Sequence, residues 1–313
     1  MSTRIAAVRR KASPTKGRGI DTLRRGRDFL RRFPQVHRLI RSVWTPPTSI
    51  YQHLYFDGVI SVEVESGVSF KIECHGEHIE NEFFWRGFGN SYEGKSLRLW
   101  AELAKSADYV ADIGANTGVY SLLTKAVRPS AKVIALEPSP RVFTKLQRNI
   151  DLNGYSIVAV DVAASDKSGV APFFDLASPH QYTGSLESDF GGPLKTSVPV
   201  ERMDQILAQH GFDRLDLVKI DVELHEPAVL RGMRNTLERW KPTMLVEILN
   251  EDVERGIREA IAGLDYRLVA VGGQGSPHPV SDARNYIIAR PDAFEAKPLA
   301  RLAAEKSPDI CVA

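Results

Sequence analysis

Asp112, Gly114, Asn116 and Gly118, followed by Glu137, are residue types at a spacing that can hold a nucleoside. An apolar run, 109–111, leads into the glycines, a helical pattern follows them, and a second apolar run, 133–136, ends on Glu137. Glycines at 114 and 118 permit a tight turn and a close backbone approach to a ligand. A carboxylate roughly 20 residues beyond such a turn can take both ribose hydroxyls. Asn116 stands where the dinucleotide fingerprint carries its second glycine. A pyrophosphate needs that glycine and a ligand without phosphates does not. The spacing therefore points to S-adenosylmethionine, with its ribose on Glu137 and its amino-acid end over 112–118. The plain alternative is a strand-turn-helix corner with an incidental glutamate.

A second set stands downstream: Asp221, Glu223, His225 and Glu226. A sulfonium methyl is already electrophilic, so a protein must bring an acceptor oxygen in line, roughly 3–3.5 Å away, and help its proton leave. Asp221 closes a predicted strand and is the first candidate for a polar group beside the methyl. Glu223 and Glu226 follow on the turn into a helix. His225 is attractive as a base because imidazole titrates near neutrality. Each has a structural alternative: a surface histidine at a helix start, a carboxylate favoured by the helix dipole for Glu226, and a buried partner of an acid for Lys219. Asp221, His225 and Glu247 also make an oxygen/nitrogen donor set of the kind that binds a divalent cation. Nothing in the spacing requires a metal, and none is assigned. His75, His78 and Glu82 cluster as well, and read as exposed surface of a small β unit.

These residues need a frame, and the hydrophobic periodicity supplies one. Strand patterns fall at 109–113, 132–136, 156–161, 215–221, 243–248, 266–271 and 285–289, and helical patterns at 119–126, 141–152, 203–210, 227–238 and 253–263. Alternation of this kind implies an α/β fold, a mostly parallel sheet covered on both faces. The last two strands lack a long helix between them, which predicts a hairpin at the sheet edge. Ligands gather at the carboxyl ends of such strands, which places Asp112, Glu137, Asp161, Asp221 and Glu247 on one rim. Ahead of this domain, 59–64 and 68–72 read as a β-hairpin turning near 65–67. The segment 81–88 is aromatic-rich, and 97–104 looks helical.

The net charge of +2 hides an asymmetry. Residues 1–44 carry 13 Lys/Arg and two acids, a surplus of +11, while the remainder has a net charge of −9. Such an arm suits an anionic surface. Residues 1–19 read as disordered. A broken apolar stripe, Leu23, Leu30, Phe33, Ile40 and Val43, reads as a basic amphipathic helix interrupted at Pro34. Its alternatives are a helix packed on the body, a disordered segment or an organellar transit peptide. The division expected is a basic arm at 1–48, a small β cap and approach segment at 49–94, the cofactor-binding domain at 95–292 and a tail at 293–313. No stretch approaches about 18 consecutive apolar residues, so no membrane span is expected. No apolar segment of signal-peptide type follows the basic start. Two cysteines, Cys74 and Cys311, offer neither a disulfide framework nor a thiolate metal set, which fits a reducing cytosol. The expected location is cytoplasmic, peripheral at the inner face of a membrane if the arm contacts anionic lipid.

Three blocks together carry a resemblance: Val110-Ala111-Asp112-Ile113-Gly114-Ala115-Asn116-Thr117-Gly118, Ala135-Leu136-Glu137-Pro138, and Lys219-Ile220-Asp221-Val222-Glu223 with Glu226-Pro227 and Arg231-Gly232 behind it. Smaller matches keep the order at 163–169, 200–204 and 241–247, and Tyr92-Glu93 fits the approach segment. The chain resembles the FkbM family of S-adenosylmethionine-dependent methyltransferases over roughly 80–290. That resemblance implies a class I Rossmann-like sheet of seven strands, the last antiparallel, with O-methylation of a sugar, glycolipid or secondary metabolite. It implies S-adenosylmethionine held by Glu93, Asp112, Gly114, Asn116, Gly118, Glu137, Pro138, Asp161 and Ala163, while the chemistry expected at Asp221, Glu223, His225 and Glu226 rests on their residue types and their place at the strand end. Leu224 and His225 depart from the Gly and small residue usual after Asp-Val-Glu, which alters the acceptor side, and Gly94 replaces a proline. The acceptor expected is a small molecule or glycan, with nucleic acid disfavoured because no Asn-Pro-Pro-Tyr-type motif is present. Two rivals stand: a methyltransferase acting on protein or RNA, and a non-catalytic scaffold that keeps the cofactor fold.

Overall fold

The computed structural model describes residues 33–176, 182–187, 194–271, 284–296 and 298–300. The predicted arm up to residue 32 and the end of the predicted tail from 301, with Cys311, lie outside them.

In chain order, α1 (Pro34–Val43) and the single turn α2 (Thr48–Tyr51) lead into β1 (Gly58–Glu65) and β2 (Val68–Cys74), an antiparallel hairpin. Then come α3 (His78–Arg86), α4 (Gly94–Ala104), β3 (Tyr109–Ile113), α5 (Val119–Val127), β4 (Lys132–Leu136), α6 (Pro140–Asn153) and β5 (Ile157–Val160). The chain continues through β6 (Ala163–Ser165), β7 (Gly169–Asp175), β8 (Gly184–Ser185), β9 (Leu194–Arg202), α7 (Met203–Gln209) and β10 (Leu217–Ile220). It ends with α8 (Glu226–Gly232), α9 (Arg234–Trp240), β11 (Thr243–Glu247), α10 (Glu251–Ile261), β12 (Arg267–Ala270) and β13 (Asn285–Ala289).

Seven strands form one sheet in the order β12-β13-β11-β10-β3-β4-β5. Only β13 runs against its neighbours, so the sheet is the class I methyltransferase arrangement that the sequence implied. From β3 the chain builds outward to β4 and β5, then returns to place β10 on the other side. The crevice of such a fold opens where the winding reverses, between the ends of β3 and β10. Both faces of the sheet are covered, which is why β10 is buried along its whole length and reads as an apolar run broken only by Lys219.

The hairpin alternates as its sequence predicts, turning Ile60, Val62, Phe70 and Ile72 inward. Those side chains join the same apolar cluster as Val110, Val133, Leu245 and Ile287 of the main sheet. Three features differ from the sequence reading. The aromatic-rich segment is the helix α3, not part of a β cap. Its polar residues are buried: Tyr51 Oη donates to Glu82 Oε1 (3.0 Å) and Asn81 Nδ2 to the Tyr51 carbonyl (2.8 Å). A helix buried all round loses the polar face that periodicity detects. The single helix expected at 227–238 is two, because the Asp204 carboxylate accepts from Asn235 N, Thr236 N and Thr236 Oγ1 and so caps a fresh N-terminus after Met233. A four-stranded sheet, β6-β9-β7-β8, was not foreseen. Among the described residues no helix is long and apolar enough to cross a membrane.

Candidate active site

At the switch point the β3–α5 turn folds back on the ends of two strands. Gly114 N and Ala115 N both donate to the Leu136 carbonyl, at 3.0 and 2.8 Å. Gly114 has φ +79°, and a Cβ there would stand 1.8 Å from the Asp221 carbonyl oxygen. The close approach predicted toward a ligand is, in the structure, an approach to the backbone of Asp221. Gly118, also left-handed, opens α5; a Cβ there would meet Leu146 at 2.7 Å. Asp112 lies behind the turn, where its Oδ2 accepts from Ser121 N (3.0 Å) and Ser121 Oγ (2.7 Å). Burial pushes its carboxyl up to about 6. Asp112 therefore ties the start of α5 to β3 and does not line the cavity.

Glu137 does line it. Oε2 accepts from Asn116 N (3.0 Å) and Oε1 from Ser139 N (2.9 Å), so two backbone amides fix both oxygens. Burial raises this carboxyl to about 7 despite those bonds. Asn116 itself has φ +51°, donates Nδ2 to the Tyr182 carbonyl (2.8 Å), and leaves Oδ1 buried with no hydrogen-bond partner.

On the other side of the cavity, which measures about 240 Å³, stands a ring of carboxyls about one lysine. Lys219 Nζ is 3.1 Å from Asp221 Oδ2 and 5.2 Å from the centre of the Tyr120 ring. Burial disfavours the ammonium, but the charges of Asp221, Glu247 and Glu93 outweigh burial and raise the lysine. Asp221 is the mirror case: burial pushes it up, while Lys219 and hydrogen bonds from Glu247 and Lys219 hold it below the usual carboxylate range. Glu247, buried beside the Asp221 charge, rises to about 10, and Glu223 to about 8. Glu93 accepts from Tyr120 Oη at 2.6 Å. Asp221, Glu223 and Glu247 each bring an oxygen within 4.8 Å of the others. The donor set weighed from sequence had His225 in place of Glu223. In the structure the Lys219 ammonium already neutralises Asp221, and no metal is assigned.

His225 is held at both ring nitrogens: Nδ1 lies 2.6 Å from Glu187 Oε1 and Nε2 lies 3.0 Å from Ser165 Oγ. A carboxylate on Nδ1 selects the Nδ1–H tautomer and leaves Nε2 as an acceptor. Glu226 is buried with Oε1 accepting from Val222 N (3.1 Å); it shapes the strand-to-helix turn and does not line the cavity.

Of the residues singled out in the sequence, Glu93, Gly114, Asn116, Glu137, Pro138, Ala163, Asp221, Glu223 and His225 share the cavity wall. Asp112, Gly118 and Glu226 brace it from behind. Asp161 faces solvent outside it. His75, His78 and Glu82 do not converge: His78 faces Glu82 at 3.6 Å and His75 faces Glu73 at 3.2 Å. Glu82 is buried, not exposed. Sequence reading missed Tyr120, Ser165, Tyr182 and Glu187. Ser165 fell inside a matching block, and Tyr120 sits in the first turn after the glycines; Glu187 carried no signal.

The family model "Methyltransferase FkbM domain" matches residues 112–268. Among curated proteins, the chain is 29% identical to "Methyltransferase sdnD" of Sordaria araneosa, covering 47% of this chain and 73% of that one. It is 29% identical to "Hexuronic acid methyltransferase AglP" of Haloferax volcanii, covering 50% of this chain and 63%, less than two thirds, of that one. It is 28% identical to "31-O-demethyl-FK506 methyltransferase FkbM" of Streptomyces tacrolimicus, covering 53% and 74%. Among solved structures, a methyltransferase FkbM from Methylobacillus flagellatus aligns with TM-score 0.42 at 18% identity, over 58% of this chain and 43% of that one.

Proposed function

Because this chain belongs to the FkbM methyltransferase family, we propose that it moves a methyl group from S-adenosylmethionine to a hydroxyl oxygen of a sugar, glycolipid or secondary metabolite. The observation that carries the reading is one cavity with two unlike ends. One end offers a carboxylate fixed by two amides, Glu137, and the other a carboxyl excess, Glu93, Asp221, Glu223 and Glu247 about a single ammonium. Burial raises three of those four carboxyls, so a cationic centre that draws off their protons is favoured there and a pyrophosphate is not. The orphaned Asn116 Oδ1 suits a ligand that brings a hydrogen-bond donor. Glu137 with Pro138 and Asn116 would hold the nucleoside, and Glu93 the amino-acid end. Once bound, S-adenosylmethionine supplies an electrophilic methyl, so the protein's share is alignment and removal of a proton.

Asp221, kept anionic by Lys219, is a weak proton acceptor and a good hydrogen-bond acceptor; its role is to aim the acceptor hydroxyl. His225, whose Nε2 is left as an acceptor by Glu187 and is held by the Ser165 hydroxyl, takes the proton once that hydroxyl yields the nitrogen. Relatives named for a hexuronic acid and for 31-O-demethyl-FK506 support an acceptor of the sugar or secondary-metabolite class. The charge surplus of residues 1–44 supports a peripheral position on an anionic surface. Calorimetry tests the cofactor. S-adenosylmethionine and S-adenosylhomocysteine should bind and NAD should not, and Glu137→Ala should cost about 1.5–3 kcal/mol, roughly ten- to a hundredfold in affinity. NAD binding without S-adenosylmethionine binding would sink the reading.

A further inference from the structure

Helix α1 is packed with its apolar stripe outward. The face turned to the body presents His37, 2% exposed, with its ring 5.3 Å from that of Phe56 and 6.3 Å from that of Trp85. Burial lowers the His37 pKa, which keeps the ring neutral among those aromatics. Ile40 packs beside it on the core. Val36, Leu39 and Val43 recur at helical spacing on the other side. Leu39 is 68% and Val43 80% exposed, and the ridge continues into Trp44 at 50%. Arg38 and Arg41 lie on the body side of the helix: Arg38 Nη2 donates to the Val59 carbonyl and the Arg41 guanidinium lies over the Phe84 ring. An exposed aliphatic ridge ending in tryptophan is the pattern of a helix lying in a membrane interface. Residues 1–32, ahead of it in the sequence, carry 11 Lys/Arg against two acids.

We infer that Val36, Leu39, Val43 and Trp44 bed into the acyl boundary of an anionic bilayer, toward which the positive surplus of residues 1–32 draws the chain. The inference rests on the arm's reading as an anionic-surface anchor and adds an apolar contact to it. One weak apolar contact gives marginal, reversible binding, and a polybasic segment beside it makes binding stable. The alternatives fit less well. A second copy of this chain would bring the same positive surplus against the first. A nucleic acid would satisfy the arginines and leave the aliphatic ridge in water.

The test uses the full chain with phosphatidylcholine vesicles, with and without phosphatidylserine. The protein should sediment with the anionic vesicles, and salt should weaken binding without abolishing it. Leu39→Glu with Val43→Glu should weaken partitioning at least about tenfold while leaving the thermal melt unchanged, since both side chains are exposed. Trp44 emission should shift to the blue and be quenched by brominated lipid, a signal that Trp44→Phe removes. Undiminished binding of the double variant, fully reversed by salt, would overturn the apolar contact and leave the arm as the anchor. Equal binding to neutral and anionic vesicles would overturn the arm's role and leave the ridge. Two further results would overturn the inference: a concentration-dependent dimer lost in the double variant without vesicle binding, or salt-sensitive binding to RNA alone that the double variant retains.

Discussion

A histidine that holds a partner on each ring nitrogen is committed to one tautomer, and at position 225 that commitment decides what the side chain can do. Glu187 engages Nδ1 and Ser165 engages Nε2. The arrangement resembles that of a nucleophilic triad, but Ser165 is fully buried, and a buried hydroxyl cannot attack a ligand. Its role is to hold the imidazole from the β6 side while Glu187 sets which nitrogen carries the proton. If His225 is the base, Glu187→Gln should lower kcat with little effect on KM for S-adenosylmethionine, because Glu187 acts only through the ring. General-base contributions are about a hundredfold or more, so His225→Ala should lose at least that much and Glu187→Gln a part of it. Steady-state kinetics across pH checks both, and a wild-type profile in His225→Ala removes it from the mechanism. Nothing in the sequence pointed to Glu187. It follows the two-residue strand β8, where neither periodicity nor motif operates, and only the fold brings it to His225. Asp112 was legible as important, and the structure adds a bracing role to it. Its type and position were those of a ligand contact, whereas the structure spends both available bonds of Oδ2 on Ser121.

At the scale of elements, the site depends on how α8 sits against β6. Gly232 near the end of α8 would place a Cβ 1.8 Å from the Ser165 carbonyl oxygen. No side-chain rotation relieves a clash with backbone, so Gly232→Ala must move the helix. Such overpacking costs about 1–3 kcal/mol or more. Because α8 begins beside His225 and carries Glu226, the shift should also loosen the His225–Ser165 contact. Gly232→Ala should therefore melt earlier and lose kcat beyond what its stability explains, whereas Gly263→Ala, with open space around it but φ +76°, should lose stability alone. Melting curves and kcat at a temperature where both variants are folded separate the two. The main sheet was legible because its strands are long apolar runs between helices of period 3.6, and the β1–β2 hairpin because it alternates cleanly. The β6-β9-β7-β8 sheet was not. Pro172 and Pro199 interrupt it, and β7 buries few of its residues, so period-two alternation hardly registers. Helix α3 failed for the opposite reason, being buried on every side.

Over the whole molecule, the buried carboxyls pull stability and ligand binding in opposite directions with pH. Burial raises Asp112 to about 6, Glu77, Glu137 and Glu226 to about 7, Glu80 and Glu223 to about 8, and Glu247 to about 10. Unfolded, these groups titrate near about 4. Between the unfolded and folded values the native state holds more protons, so the slope of stability with pH is negative. Their contribution is fully present below the unfolded pKa and is lost as pH rises through about 6 to 8, with Glu247 following near about 10. Asp221 runs the other way: its lowered pKa adds stability above the unfolded value, lost only in acid. It cannot offset the set near neutrality. The ligand-free protein should therefore melt progressively earlier as pH rises from about 6 to about 9. A cationic ligand reverses the balance, because each carboxylate that forms in the cavity, Glu137 and Glu223 first, attracts it. S-adenosylmethionine should bind more tightly and raise the melting temperature further at about pH 8.5 than at about pH 6. S-adenosylhomocysteine lacks the sulfonium charge and should show a smaller gain over the same window. Thermal melts and calorimetry at matched ionic strength measure both quantities. A melting temperature that climbs through this window would mean that the buried carboxyls are already ionised in the native state. Equal pH dependence for the two ligands would show that the carboxyl ring about Lys219 does not sense the sulfonium.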